Sequence, residues 1–543
     1  MGNVKDIFSK LQYRYRLAAS RMQTDRRFAA MARKVAAAAL PGEGQPVVMF
    51  NASTRITGYS QNAAYHLLAS WALRLQGVKV VHFICQAGMT RCPLGTNRDD
   101  FDAAPPCAAC QMQSRRAYPA PGAANAELRG FTMVRAPRLE EAMAGLSLAQ
   151  LSQFVYEDVP LGALVLPTMR WVLRRHHLSE DEAHRGLYRH YIRSAWSVAQ
   201  AFGRLLDETD PRMVIVFNGQ FFPEAAARHL AQKRGLPVIT HEVGLQPMTA
   251  FFTRGEATAY PIDIPADFEL DEAQNARLDT YLEQRFRGNF SMAGIRFWPE
   301  MKPLSPEFWQ RAGRFKQIVP VFTNVIFDTS QGHANVVFEH MFAWLDQVLE
   351  IARAHPETFF VIRAHPDEAR PGKAARENVA GWVRQRGADA LPNVMFVDAG
   401  EYFSSYELIQ KSKFVMIYNS TIGIEASLLG APVLCAGKAR FTQLPTVFFP
   451  QTADDHRAQA EEFLRAERIE VPSEYRRNAR RFLYYQLFRT SLPMGDFLAE
   501  EGIWKGFVTL KEFDWRALLP ENSAGMAAIV DGVLHGGDFL LRD

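Results

Sequence analysis

From residue 46 onward the chain alternates short apolar runs with longer stretches of helical periodicity, the pattern of βαβ units and parallel sheets. In the first half, strands are expected at QPVVMFN (45–51), VKVVHFI (78–84), MVIVFN (213–218) and PVIT (237–240). Helices are expected at about 60–76, 180–208 and 222–234. The helical tract 139–208 reads as an insertion or a helical wall outside the sheet rhythm. A polar, aromatic and proline-containing stretch near 288–312 interrupts the pattern, which then restarts. Strands are expected at IVPVFT (318–323), TFFVIRA (358–364), NVMFV (393–397), FVMIY (414–418) and PVLC (432–435). Helices at about 333–354, 373–386, 404–411 and 421–429 lie between them.

A chain of 543 residues exceeds what one hydrophobic core usually organises. The expected organisation is α/β: an N-terminal helical segment (1–45), a Rossmann-like lobe (46–300), a second such lobe (312–490) and a C-terminal tail (491–543) that the pattern does not place. Two lobes joined by one linker suggest a central cleft, and ligands of such sheets bind outside the carboxyl ends of the strands.

The net charge of +4 is local in origin. Residues 1–40 hold nine Lys/Arg against two Asp/Glu, so the remainder is slightly acidic and offers no broad nucleic-acid-binding surface. Within that segment Val4, Phe8, Leu11, Tyr15, Ala18 and Met22 recur at helical steps, with Lys10, Arg14 and Arg21 off the stripe. Such a helix packs on its own first lobe or lies on an anionic membrane surface. No apolar run approaches membrane-spanning length, and the N-terminus has neither a signal-peptide layout nor the Ser or Thr of a myristoylation signal. The cytoplasm is the expected compartment.

The chemistry gathers in the second half. In FVMIYNSTIGIEASLLGAPVL, Asn419, Ser420 and Thr421 sit at a strand-to-helix junction and Gly423 in the first helical turn. Free N–H groups and the helix dipole favour an anion there, and the hydroxyls add donors, although a Ser or Thr at a helix start also serves as an ordinary cap. Glu425, one turn on, could reach ribose hydroxyls. In FFVIRAHPDE, His365 and Pro366 directly follow an apolar strand, where an imidazole N–H can meet a phosphate oxygen. Tyr418, Lys438 and Arg440 are further candidates for base stacking and phosphate contact. In the first lobe Asn51, Arg55 and Gly58 follow the first strand and line either the acceptor side or an ordinary βα turn.

The HP motif, the S-T-x-G-x-E-A helix start of Ser420 to Ala426 and the following G-x-P-V resemble the capsule polysaccharide biosynthesis proteins, bacterial glycosyltransferases that include Kdo transferases. FTNVIFD (322–328) resembles the start of that family's second lobe. VIVFNGQFFPEAAARHLAQKRGLPVITHEVGLQP resembles its first-lobe strand–helix–strand, which maps onto Asn218, Gly219, Glu242 and Gly244. The resemblance implies the GT-B architecture of two Rossmann-like lobes and transfer of a sugar from a nucleotide donor, CMP-Kdo-like first and UDP-sugar next. The acceptor would be a surface or capsular glycan or glycolipid, and peripheral contact with the inner membrane or the capsule assembly machinery would follow. Related sialyltransferases place their base in an acidic pair before a glycine. Here the run is His241-Glu242-Val243-Gly244, so Glu242, His241 or another residue takes the proton. Transfer needs such a base on the acceptor hydroxyl and donors on the departing phosphate. No DxD-type sequence marks a nucleotide–metal site, and Asp99, Asp100 and Asp102 read as solvated. Two rivals remain: a polyol-phosphate transferase or UDP-sugar epimerase on the same fold, and a non-catalytic scaffold.

Four of the five cysteines, Cys85, Cys92, Cys107 and Cys110, fall within one short segment. Cys107-Ala108-Ala109-Cys110 has chelating spacing, and Cys85 with Cys92 could complete a four-thiolate site. Structural zinc, an iron–sulfur cluster and unmetallated thiols are the readings, with a disulfide disfavoured in the cytosol. Cys435 ends an apolar strand and is expected in the core.

Overall fold

The structure, a computed structural model, describes residues 2–52, 58–118, 123–286, 302–372, 374–503 and 506–542, without the side chains of 2–7 and 10. Arg55 and much of the stretch 288–312 lie outside the described residues. The chain divides into two compact units: residues 1–172, 179–258 and 488–543 form the first, and 173–178 with 259–487 the second. The boundary at 258/259 falls well before the interrupting stretch, because the helix Glu272–Phe286 belongs with the second unit.

The first unit is built on a sheet of β1 (Glu43–Asn51), β2 (Val78–Cys85), β3 (Ala126–Phe131), β4 (Met213–Phe217), β5 (Val238–Val243) and β6 (Thr249–Thr253). Its order is β6-β5-β4-β1-β2-β3, parallel from β3 through β5 and antiparallel at the β5–β6 hairpin. Val47, Val48, Met49 and Phe50 are fully buried, as expected of a strand covered on both faces. The tail that the sequence pattern did not place returns here. Residues Leu492–Pro493 pair with β6 and extend the sheet edge. Met526, Ile529 and Val533 of the helix Ala524–Leu534 share a core with Trp71 of the helix Gln61–Leu75.

The N-terminal helix Gly2–Ala38 contributes Phe28, Met31 and Val35 to that core, and Phe28 stacks on Tyr59 at 3.9 Å. The stripe read from the sequence lies elsewhere on the helix: Phe8, Leu11, Tyr15 and Met22 are all exposed. Packing is thus done by the second half of the helix, in a register that the first half leaves uncovered. No helix among the described residues is long and apolar enough to cross a membrane.

The second unit carries β7 (Gln317–Phe322), β8 (Thr358–Arg363), β9 (Val394–Val397), β10 (Val415–Ile417) and β11 (Val433–Cys435), all parallel, in the order β11-β10-β7-β8-β9. Both sheets therefore run third-second-first-fourth-fifth through their parallel strands. In that order the chain reverses direction across the sheet between the first and fourth strands, opening a crevice at their carboxyl ends. The reversal falls between β1 and β4 in one unit and between β7 and β10 in the other.

Candidate functional site

At the first unit's reversal point β1 ends in Asn51 and β4 runs into Asn218. Asn218 and Gly219 take left-handed conformations (φ 35° and 77°), which turn the chain sharply off the strand. The Asn218 side chain accepts from the Gln220 N–H at 2.9 Å and donates to Glu242 Oε2 at 3.2 Å. Glu242 Oε1 accepts from Asn62 Nδ2 at 2.7 Å and from the Val243 N–H at 3.0 Å. Asn62 lies in the first turn of the helix Gln61–Leu75, whose Ser60 cap accepts from the Ala63 N–H, so the carboxylate sits by a helix N-terminus. Three N–H donors thus converge on one half-buried carboxylate. Sequence reasoning missed Asn62, although its place in the first turn after β1 was a signal.

His241 has a different environment. Its ring is fully buried, bonded through Nε2 to Nδ1 of the equally buried His66 at 2.8 Å and set against Phe252. Burial holds His66 down to about 3 and His241 well below its ordinary value, so both rings are neutral core groups. This corrects the expectation of His241 as an alternative base. Asn51 is also buried; its amide donates to the Met49 carbonyl at 2.9 Å and lies 3.3 Å from His82 Nδ1. Gly58 is left-handed (φ 85°), and Gly244 is held by sterics, since a Cβ there would meet Thr249 Oγ1 at 2.2 Å.

At the second unit's reversal point the strand ends meet directly. Asn324, two residues beyond β7, donates its amide to Asn419 Oδ1, two residues beyond β10, and Gln331 Nε2 reaches the same oxygen at 3.5 Å. His365 follows β8, the strand next to β7. Its Nδ1 accepts from the Asp367 N–H at 3.2 Å, which leaves the neutral ring's proton on Nε2. Burial holds this imidazole below its ordinary range, against the carboxylates of Asp367 and Asp328. Pro366 opens the short turn Pro366–Ala369. Ser420 is buried, while Thr421 caps the helix Ile422–Leu428 without spending its hydroxyl on a capping bond. Neutral N–H and O–H donors thus gather over three adjacent strand ends.

Four motif residues serve the fold instead of this cluster. A Cβ on Gly423 would lie 2.2 Å from Ile417 Cδ1, so the glycine lets the helix approach β10. Both oxygens of Glu425 are taken, one by Arg285 and the other by the Tyr406 hydroxyl at 2.6 Å, in a buried network that precludes the expected ribose contact. Tyr418 is fully buried beside Trp344 with its hydroxyl on Asn335 Oδ1 at 2.6 Å, which removes it as a stacking surface. Arg440 packs over the Tyr260 ring at 4.1 Å. Lys438 is exposed, its backbone N–H bonded to the Ala334 carbonyl. Asn324, Gln331 and Asp328 were not singled out from sequence, although FTNVIFD holds two of them.

In the first unit Cys85, Cys92, Cys107 and Cys110 line one cavity of about 30 Å³, none of them in a disulfide, whereas Cys435 is a core residue as expected. Burial pushes the Cys85 thiol up to about 11 and the Cys92 thiol up to about 12. Among the described residues no group of three Cys, His, Asp or Glu stands at metal-binding separations.

Two compact units, each on a parallel sheet with the strand order of nucleotide-binding folds, define an α/β protein of two Rossmann-like units. Residues 309–468, which contain the second unit's entire sheet, match the capsule polysaccharide biosynthesis protein family. No curated protein matches it. Among solved structures it is similar to a KpsC beta Kdo 2,4 transferase of Thermosulfurimonas dismutans, at 12% identity over 52% of this chain and 80% of that one, with a TM-score of 0.34. It is also similar to a UDP-GlcNAc 2-epimerase of Neisseria meningitidis, at 13% identity over 81% and 96%, with a TM-score of 0.23.

Proposed function

We propose that this protein is a glycosyltransferase of capsular polysaccharide synthesis that uses a nucleotide-activated sugar as donor. The observation that carries the reading is the second unit's reversal-point cluster, lying within the family match. His365, Ser420 and Thr421, with Asn324 and Asn419 beside them, offer N–H and O–H groups suited to donor phosphates. In the transition state the leaving phosphate gains charge, and a donor already fixed in place stabilises that charge without reorganising. His365, its tautomer set by Asp367, is the donor assigned to it. Glu242, oriented by three N–H groups, is the base that takes the acceptor hydroxyl's proton. A CMP-activated acid such as Kdo is the first donor to test, with UDP-sugars next, and a surface glycan or glycolipid is the acceptor. The exposed Phe8, Leu11 and Tyr15, with Arg14 and Arg16 exposed among them, support peripheral contact of the N-terminal helix with an anionic membrane.

A thermal-shift screen against CMP, CDP, UDP and GDP tests the reading, since a ligand that binds only the folded state raises apparent stability. One nucleotide is expected to stabilise the protein, and Thr421→Ala to weaken that nucleotide about tenfold, or about 1.4 kcal/mol. Stabilisation by none of the four would reject a nucleotide-sugar donor. Sugar conversion without any acceptor would identify an epimerase instead.

A further inference from the structure

We propose that Cys85, Cys92, Cys107 and Cys110 bind a single zinc ion as four thiolates, pinning the loop between β2 and β3 to the first unit's sheet. The four come from three separate pieces of chain: the end of β2, the loop after it, and the first turn and a half of the helix Cys107–Ala117. All four nevertheless line one small cavity. Its other walls are Ala52, Ala87, Met89, Leu94 and the Pro105–Pro106 pair, with no carboxylate or imidazole among them. A nucleophilic or redox thiol needs a base or a cation beside it, and this lining supplies neither.

What surrounds the sulfurs suits thiolates that ligate a cation. Ala87 adopts a left-handed conformation (φ 59°), and the turn it makes directs the Gly88 N–H onto Cys85 Sγ at 3.2 Å. At the second turn the Gly95 N–H bonds the Cys92 carbonyl at 3.2 Å, and a Cβ on Gly95 would lie 2.7 Å from the Cys92 sulfur, so the glycine leaves room for it. Cys-x-x-Gly thus occurs twice, the first glycine donating to the sulfur three residues earlier and the second making room for it. Cys107 and Cys110 stand at the start of an 11-residue helix, where the unbonded N–H groups favour negative charge. Hydrogen bonds to ligating sulfurs are what a metal site uses to orient its ligands.

Zinc accepts four thiolates in a tetrahedron with no open position, so the site is structural. Its thiol protons leave to solvent as the four Zn–S bonds form. A cavity of about 30 Å³ accommodates one ion. Among the described residues no three of these ligands stand at metal-binding separations, so binding the ion requires the sulfurs to move together.

The test is elemental analysis of the full-length protein purified without chelator, alongside a native thiol titration. About one equivalent of zinc is expected, with the four thiols protected until the protein is denatured. Exchange into cobalt should give the intense visible absorption of a tetrahedral cobalt thiolate. Cys110→Ser should abolish that absorption, and Cys435→Ser, in the second unit, should leave it unchanged. Because the cobalt spectrum and the zinc content are read on the parent protein, a variant that fails to fold does not blunt the test. Zinc below about 0.2 equivalents with four freely titrating thiols would overturn the proposal. So would iron with inorganic sulfide, or a disulfide among the four. None of these readouts depends on the transferase reading.

Discussion

The two reversal points share a backbone plan and differ in chemistry. In each sheet the first and fourth strands lead into asparagines, Asn51 and Asn218 in the first unit and Asn324 and Asn419 in the second. In the first unit the neighbouring strand β5 delivers a carboxylate, and Asn218 and Asn62 turn their amides onto it. In the second, β8 leads into a histidine instead, and the two asparagines bond each other. Topology decides where side chains collect. The strand beside the reversal decides whether the collected group is a carboxylate or an imidazole.

Removing the carboxylate is the sharpest test of that contrast. Glu242→Gln should lower transfer by about 10²–10⁴-fold while nucleotide affinity stays at its parent value. Near-parent turnover in this variant would move the base elsewhere. His365→Ala should lower turnover by about 10²–10³-fold, again with little change in nucleotide affinity, because the bond it supplies strengthens as the phosphate departs. If neither rate nor affinity changes, the second unit's edge does not hold the donor.

Gly423→Ala separates packing from binding within one motif. The added methyl meets Ile417 and Phe441, so unfolding measurements should show a loss of about 1–3 kcal/mol, with nucleotide affinity per folded molecule unchanged. An affinity loss at full stability would return this glycine to the phosphate site. The smallest expected effect concerns pH. Burial, with Asp398 adding to it, raises the Glu368 carboxyl to about 8 from an ordinary 4.5, against the Val379 N–H that bonds it. A raised carboxyl contributes its stability fully below about 4.5 and loses it as pH climbs through about 8, at no more than about 1.4 kcal/mol per pH unit. Buried His66 has the opposite sign in the first unit: its contribution is whole above 6.5 and lost as pH falls toward about 3. The second unit has such a histidine too, His456. Urea unfolding between pH 5 and 8.5 should show the alkaline limb flattened in Glu368→Gln, and an unchanged slope would place its origin elsewhere.

Sequence periodicity sufficed for nine parallel strands, each built around a short apolar run. It failed at β3, whose Glu127 and Arg129 interrupt the pattern on an edge strand, and at β6, a short antiparallel partner. Residues 492–493 could not be read as a strand, because what makes them one is a pairing partner some 240 residues upstream. At the site, the motifs located the strand ends correctly, since loops at carboxyl edges are a property of topology. They did not reveal which way each side chain faces. Tyr418 and Glu425 stand in the right motif and turn inward, while Asn324 and Asn62 stand in unremarked positions and turn toward Asn419 and Glu242 respectively. Their direction depends on partners such as Arg285 and Asn335, which no local pattern names.

The return of the tail to the first unit has a bearing on how the molecule is made. On the ribosome the first unit's strands emerge early, yet the edge partner of β6 and the helix Ala524–Leu534 come only after residues 259–487 have been synthesised. The second unit, continuous but for six residues, can complete its sheet while the first still waits with one edge unpaired and part of its core uncovered. A nascent chain halted before residue 492 would therefore carry a finished second unit beside an unfinished first one, and protease sensitivity should concentrate in the half translated first.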